Sequence, residues 1–436
     1  MARGVSAYDA AWQGVFDKYG IAAQVRRHGF ADVTADQLRE FREPRLLTKM
    51  DHSHQLPTVF EEHGLNILTR STSTFRIGAF EVFAALPDWT VPGADVVNLT
   101  LPDFIQTLDP SNVTGEPAVI NAAHASGLLT HFCGEEVALT VSGRMRTGEF
   151  DFQVNNTVTG TSAVQVSKAQ IEIDAAFEGR QAFTIVEVKN HLSKDFCVRQ
   201  LYYPFRTWRD RISKPTRNVF LTLANDVYDV HEFQFTDPLN YSSAELINHK
   251  RYTIGITRPT EDEVVARARR AIAAPQQPVP TDTPFPQADD FERVMDLVDF
   301  LAEEPRTVDD LALNYDFHAR QSDYYYNAAK YLGLAETTKG DDGWEYRQVT
   351  PLGREIVGLP YREKNLRYAD LILTIKPVAE TYFEWVRTGS RPETKTWVTD
   401  HFAASVEGRN LARSTQERRS QTILAWAGWL REIAPK

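Results

Sequence analysis

Cysteine is nearly absent from this chain, which carries only Cys133 and Cys197. Two thiols cannot build the disulfide framework of a small secreted scaffold, and they lack the paired spacing of a zinc site. Both read as small buried residues in a reducing cytoplasm. Long apolar runs are missing as well. The opening MARGVSAYDAAWQGVF has no apolar segment behind a basic start, and no stretch nears the roughly 18 apolar residues of a membrane span. No membrane partner is expected. Positive charge is in deficit: 48 Lys and Arg against 59 Asp and Glu leave −11. That balance argues against a protein that coats nucleic acid through bulk charge. No internal repeat or low-complexity tract stands out.

What is present is ordinary in bulk and uneven in distribution. The 436 residues, 42% hydrophobic and 25% charged, suffice for two or three domains with sizeable cores. From Lys189 to Arg217 there are eight Lys and Arg against two acids; from Asp282 to Asp310, ten acids against two arginines. The average hides a basic surface and an acidic one.

The clearest boundary is AIAAPQQPVPTDTPFPQADD (271–290), with five prolines. Proline donates nothing to a ladder and disfavours helix in its predecessor, so this tract reads as an extended linker. It separates residues 1–270 from a C-terminal part, with the linker itself at 271–288. The N-terminal part mixes periods. Helical spacing is expected in AYDAAWQGVFDKYG, in VTADQLREFRE with Thr34 as cap, and in AVINAAHASGLLTHFCGEE. Alternation predicts strands in EVALTVSG, EFDFQV, SAVQVSKAQIEID, QAFTIVEVKN, NVFLTLAND and VHEFQF. The order implies an α/β core with a mixed central sheet flanked by helices.

The C-terminal part predicts a winged helix-turn-helix over 289–358. An amphipathic helix starts at Phe291, and Thr307 with Asp310 forms a capping box for a second. A third helix runs from His318 to Leu332, and a hairpin turns at Gly-Asp-Asp-Gly. Residues 359–436 form a further helical region, with Trp426 and Trp429 on an apolar face.

Candidate chemistry centres on IEIDAAFEGRQAFTIVEVKN (171–190). Glu187 and Lys189 alternate onto one face of a strand. The preceding strand ends on Asp174, and Glu178-Gly179 suits a hairpin turn that brings the two acids together if the register, or a bend after Asp174, allows it. Burying two carboxylates costs several kcal/mol unless something neutralises them. A hard cation such as Mg²⁺ favours one or two carboxylates plus waters and phosphate oxygens. Asp174 and Glu187 would be ligands and Lys189 a positioning cation for attack on a phosphodiester. The alternative is an ion-paired sheet edge with Lys189 bridging two acids. A bare Glu-x-Lys carries little: Glu393-Thr394-Lys395 repeats it after a proline and reads as surface.

Asp174, Glu187-Val188-Lys189 and the following helix with Arg199-Gln200-Leu201-Tyr202-Tyr203-Pro204 together resemble the PD-(D/E)XK nuclease superfamily, and within it a type II restriction endonuclease. The runs DFCVRQLYYPFRTW, FTDPLNYSSAELINHKRYTI and EPRLLTKMDHSHQLPTVFEEHGLNILTRSTSTFRIGAF are similar to one group of predicted restriction enzymes, so the resemblance spans about residues 40–260. The proline expected before the first acid is absent, with Ile173 in its place. The resemblance implies a restriction-endonuclease-like fold and Mg²⁺-dependent cleavage of double-stranded DNA at specific sites. It implies Gln200 in the site with Tyr203 on the same helix, and an upstream helical glutamate as a further metal ligand. Glu135 and Glu136 both remain open for that role, with Glu136 taken first. Palindromic cutting favours a homodimer, and a DNA methyltransferase of the same restriction-modification system is the implied companion, with no physical complex. A modification-dependent or repair nuclease, or a catalytically silent DNA-binding regulator, are the alternatives.

DNA contacts are expected from Arg144 and Arg146 in a loop beside the catalytic strands, and from Arg199 and Arg206 in the basic segment. The third C-terminal helix adds Arg320, Gln321, Tyr324 and Asn327, the residue types that recognition helices use. His52, His54 and His63 match no ligand spacing and read as surface histidines.

Overall fold

The computed structural model describes residues 7–87, 96–110, 113, 115–275, 280, 283–308, 310–311, 319–340 and 343–434, without side chains at 319–322 and 395. It divides into two compact units, 1–108 with 114–254 and 109–113 with 255–436. Among the described residues no helix is long and apolar enough to cross a membrane.

The first unit begins with helix α1 (Ala7–Tyr19), which buries Trp12, Val15 and Phe16 at helical spacing; Trp12 meets Phe60 edge to face at 4.7 Å. Strands β1 (Phe30–Thr34), β2 (Asn66–Thr69) and β3 (Thr74–Gly78) make a small antiparallel sheet in the order β1-β3-β2. Beyond β4 (Val96–Leu99) come helices α2 (Glu116–Ala125) and α3 (Leu128–Cys133). These replace the single helix expected from AVINAAHASGLLTHFCGEE. Gly127 sits in the left-handed region at φ 76° and breaks it, a conformation that glycine adopts without a Cβ penalty.

Strands β5 (Ala138–Arg146), β6 (Glu149–Asn156), β7 (Gly160–Ser167), β8 (Gln170–Glu178) and β9 (Phe183–Lys189) follow, then helix α4 (Arg199–Arg209) and strands β10 (Thr216–Ala224), β11 (Val227–Phe235) and β12 (Ala244–Ile254). The expected strand SAVQVSKAQIEID is two strands, because Lys168 turns the chain at φ 53°. Strands β6 and β7 pair apart from the main sheet.

The central sheet is mixed, in the order β4-β12-β11-β10-β9-β8-β5. Strands β9 and β10 run parallel, as do β12 and β4; the other neighbours are antiparallel. FTIVEVK is buried at every position, as expected for a strand covered on both faces. Helix α4 lies on this sheet through Leu201, Tyr202, Tyr203 and Phe205, within a core shared with Ile185, Phe220 and Phe233.

The second unit is mainly helical. Helix α5 (Glu261–Ala273) belongs to it: Val264 and Ala268 enter its core, and Arg267 pairs with Asp370 at 3.1 Å. The expected boundary at 270 therefore falls inside a helix. Helices α6 (Phe291–Glu303) and α7 (Ala319–Tyr331) precede a hairpin of β13 (Ala335–Lys339) and β14 (Glu345–Val349). Thr307 and Asp310 bond reciprocally as a capping box, while most of the helix expected after them lies outside the described residues. Arg347 of β14 reaches Asp323 at 2.5 Å and covers the Tyr326 ring at 4.2 Å, tying hairpin to helix. Helices α8 (Pro351–Val357), α9 (Tyr361–Leu373), α10 (Lys376–Thr388) and α11 (Arg413–Ile433) follow, with a short helix at Thr399–Ala404 before the last. Trp426 and Trp429 are core, with Trp426 Nε1 donating to Ala288 O at 2.8 Å.

Candidate active site

The hairpin β8–β9 sets the geometry. Its turn closes with Gly179 N donating to Ala182 O at 2.9 Å. The Glu135 carboxylate accepts from Gln181 N at 2.9 Å and Ala182 N at 3.2 Å. A Cβ on Gly179 would lie 2.3 Å from Glu135 Cδ, so the turn and its cap fit together only with glycine. From there the ladder runs antiparallel to Ala175 opposite Val186. One step on, the side chain of Asp174 replaces the backbone partner: Oδ2 accepts from Val188 N at 2.8 Å. Asp174 therefore does not end its strand, which continues to Glu178. It stands in the strand interior, where the register brings it beside Glu187.

Glu187 and Lys189 are each only 7% exposed. Lys189 Nζ donates to Glu187 Oε1 at 2.7 Å and to Val188 O at 3.0 Å, and reaches Glu116 Oε1 at 3.4 Å. Gln200, in the first turn of α4, donates from Nε2 to the same Glu187 Oε1 at 2.5 Å. Its own Oε1 is buried without a hydrogen bond among the described residues. Three carboxylates, those of Asp174, Glu187 and Glu116, thus face one ammonium. Burial raises the Glu187 carboxyl to about 8, since the attraction of Lys189 only partly offsets lost hydration and Asp174 adds repulsion. Burial also raises Asp174, against the pull of Lys189. For Lys189 burial acts downward, but Glu187, Glu116, Asp51 and Asp174 outweigh it and hold the ammonium charged.

These groups form part of the lining of a cavity of about 760 Å³ open to solvent. Its walls include Arg39, Arg45, Lys49, Arg144 and Arg199, together with Asp51 and Glu172. Cations at the wall above acids at the floor suit a polyanion approaching a bound dication.

Asp174, Glu187, Lys189 and Gln200 come together. Glu136 does not join them: it is exposed and absent from the cavity lining, while Glu135 caps the hairpin turn. The helical glutamate at the site is Glu116, which the sequence reading missed. Its signal was Gly115-Glu116-Pro117, since proline in the first turn marks a helix start and an acid there faces the positive end of the dipole. Asp51 was missed too, and no local pattern distinguishes it.

Arg144 and Arg146 lie on β5, an edge strand, rather than in a loop; both are exposed, and Arg144 pairs with Glu172 at 3.2 Å. Arg199 lines the cavity. Arg206 is a correction. It is 6% exposed, donates to Asp151 O at 2.9 Å and to Tyr202 Oη at 3.0 Å, and covers the Phe150 ring at 4.9 Å. It holds the core together and is not available to DNA. Tyr203 is likewise buried, donating to Thr69 O at 2.6 Å. His52 is also a correction to the surface reading: it is buried, its Nδ1 2.6 Å from Asp195 O. Of the two thiols, Cys197 is buried and Cys133 half-buried. In the second unit Tyr324 and Asn327 are half-buried, and Tyr324 lines a small cavity with Arg418. The side chains of Arg320 and Gln321 lie outside the described residues.

The donor set fits a hard divalent cation. Glu187 Oε2 and Asp174 Oδ1 make no hydrogen bond among the described residues, because the protein's donors all take the other oxygen of each group. One buried and one half-buried carboxylate with a free oxygen each, and a third acid nearby, match the oxygen-only preference of Mg²⁺.

Three family models match the chain. Each is described only as a domain of unknown function: DUF6996 over residues 9–77, DUF6997 over 78–253 and DUF7226 over 293–435. None of these descriptions names an activity. No curated protein and no solved structure matches the chain.

Proposed function

We propose that the chain is a cytoplasmic, Mg²⁺-dependent endonuclease of double-stranded DNA, with a restriction-endonuclease-like first unit, and that it acts as a type II restriction enzyme. The observation that carries this is the meeting of Asp174, Glu187, Lys189 and Gln200, with Glu116, at the floor of an open cavity with cationic walls. Each separation has a chemical use.

Asp174 and Glu187 would hold a divalent cation, which would supply Lewis acidity to the water and the scissile phosphate. The chain's own residues do the rest. Lys189 keeps a charge where the phosphorus gathers negative charge, and Glu187 and Glu116 fix the direction of its ammonium. Gln200 orients Glu187 through Oε1, leaving Oε2 free. Water oxygen bonds to phosphorus in line as the bond from phosphorus to the 3′ oxygen breaks; the attacking water gives a proton to solvent and the 3′ oxygen takes one from solvent, leaving a 3′-hydroxyl and a 5′-phosphate. Arg144, Arg199 and Lys49 hold neighbouring phosphates.

The second unit would supply recognition as a winged helix-turn-helix. Helices α6 and α7 followed by the β13–β14 hairpin support this. A homodimer on a palindromic site, with a DNA methyltransferase encoded beside it, completes the proposal. A second reading, a catalytically silent DNA-binding regulator, is favoured by one observation: Lys189 and Gln200 already satisfy Glu187 Oε1 as a closed network would. Digestion of unmethylated and methylated phage-sized DNA with Mg²⁺, with the ends sequenced, separates the readings. Defined ends establish the nuclease. DNA binding without cleavage of either substrate establishes the regulator. Cleavage of methylated DNA alone establishes a modification-dependent enzyme.

A further inference from the structure

The main sheet carries a second polar group on the same cross-strand rows as the candidate active site. Glu187 stands opposite Phe220, Phe220 opposite His231 and His231 opposite His249. One row on, Lys189, Thr222, Asp229 and Arg251 follow each other in the same way. Directly paired residues share a face, so both groups lie on one face of the sheet, two strands or about 10 Å apart. Between them Phe220 is fully buried with Phe196 stacked on it at 4.4 Å. An apolar wall therefore separates the two, and none of Asp229, His231 or His249 lines the active-site cavity.

The chemistry of this group differs from that of the carboxylate floor. His231 is 2% exposed, and its ring nitrogens have no well-formed hydrogen-bond partner among the described residues, only the Phe220 backbone coming close enough to act on the ring. A buried imidazole without a full-strength partner is uncommon, and a bound cation is one thing that would complete it. Its ring stacks on His249 at 4.5 Å between centroids with planes 7° apart, and its Nε2 lies 3.7 Å from Asp229 Oδ1. His249 Nε2 hydrogen-bonds the same Oδ1. Arg251 Nε approaches the other oxygen, Oδ2, at 3.6 Å, which turns Oδ1 toward the two imidazoles.

We propose that Asp229, His231 and His249 form a metal site for a zinc-class divalent cation, bound through two imidazole nitrogens and one carboxylate oxygen. One ligand atom from each residue lies within 4.8 Å of the others. Tetrahedral donors about 2.0 Å from zinc stand about 3.3 Å apart, so side-chain rotations of about 1 Å close the set. Imidazole selects zinc, cobalt or nickel over Mg²⁺, which wants oxygen. Arg251 on Oδ2 is the outer partner that fixes the carboxylate. The His249 side chain is 22% exposed, so water reaches the fourth position. The ion would pin β11 to β12 and give the His231 imidazole a full-strength partner. It plays no part in phosphodiester chemistry.

The test uses the full chain, stripped with chelator, dialysed and titrated with Zn²⁺ against a competing dye, then with Co²⁺ for its visible spectrum. Wild type and the Asp174→Asn/Glu187→Gln double variant should each hold one tight Zn²⁺, with a Co²⁺ spectrum typical of imidazole ligation. His249→Gln should weaken binding on the order of 10- to 100-fold, and His249→Cys should restore it with an intense sulfur-to-cobalt band. Equal Zn²⁺ affinity in a folded His249→Gln protein overturns the proposal. So does loss of the ion from the double variant, which would place it in the carboxylate cavity. Should His249→Gln fail to fold, the His249→Cys protein decides: the sulfur band supports the site and its absence sinks it.

Discussion

Glu116 Oε1 stands 3.4 Å from Lys189 Nζ, a meeting of residues 73 positions apart. The contact makes Glu116, at the start of α2, the third carboxylate around the lysine. Glu116→Gln keeps the shape and removes the charge. Cleavage at limiting Mg²⁺ should fall about 10- to 100-fold and recover partly at high Mg²⁺, as expected for a lost metal-shell group. Glu136→Gln should cleave like wild type. The Mg²⁺ dependence of plasmid nicking measures both, and equal loss in the two variants would remove Glu116 from the site.

Lys189 and Gln200 share one oxygen of Glu187, so their removal should differ in kind. Lys189→Met deletes the charge proposed to stabilise the transition state, and cleavage should drop by about 10²–10³ or more. Gln200→Ala leaves every charge in place and only frees Glu187 to rotate, so the loss should be smaller, about tenfold. Single-turnover cleavage at saturating Mg²⁺ separates them. A Lys189→Met protein that still cut at the wild-type rate would end the assignment.

Sequence order explains which parts of this site could be read in advance. Asp174, Glu187 and Lys189 lie within one hairpin, so local alternation and a Glu-Gly turn made their meeting possible, while the register that brings it about belongs to the folded sheet. Gln200 came from the following helix by family resemblance. Glu116 and Asp51 arrive from separate elements whose positions depend on the packed sheet, and no short-range period encodes that. The same limit explains Arg206. A run rich in arginine reads as basic surface, yet i to i+4 spacing from Tyr202 points this one into the aromatic core.

Arg206 and Arg144 should therefore part company on substitution. Arg206→Ala strips a buried guanidinium from Asp151 O and Tyr202 and leaves a cavity against Phe150. The cost should be about 2–4 kcal/mol in chemical denaturation. Arg144 is exposed and its pair with Glu172 contributes little. Arg144→Ala should leave stability unchanged, weaken binding to any DNA, and lower the salt-dependence slope by about one. Denaturation curves and binding at several salt concentrations test both together.

The pH dependence of stability follows from the raised carboxyls. A folded-state value above the unfolded one means that the native protein binds the extra proton. For Glu187 this window runs from about 4.5 to about 8, and Asp174 acts in the same direction. Without metal, stability should be greatest at the acid end of that window and decline as pH rises through it. The slope approaches about 1.4 kcal/mol per pH unit where one proton differs. Glu187→Gln should flatten the decline, since the amide has no proton to lose. A divalent cation bound between Asp174 and Glu187 inverts the trend, because it stabilises the ionised pair and its affinity rises as the protons leave. Thermal melts from pH 5 to pH 8, with chelator and with Mg²⁺, should therefore diverge most at the alkaline end for wild type and coincide for Glu187→Gln. Parallel curves for the two proteins would show that Glu187 is ionised throughout, and the metal would then have no Glu187 proton to displace.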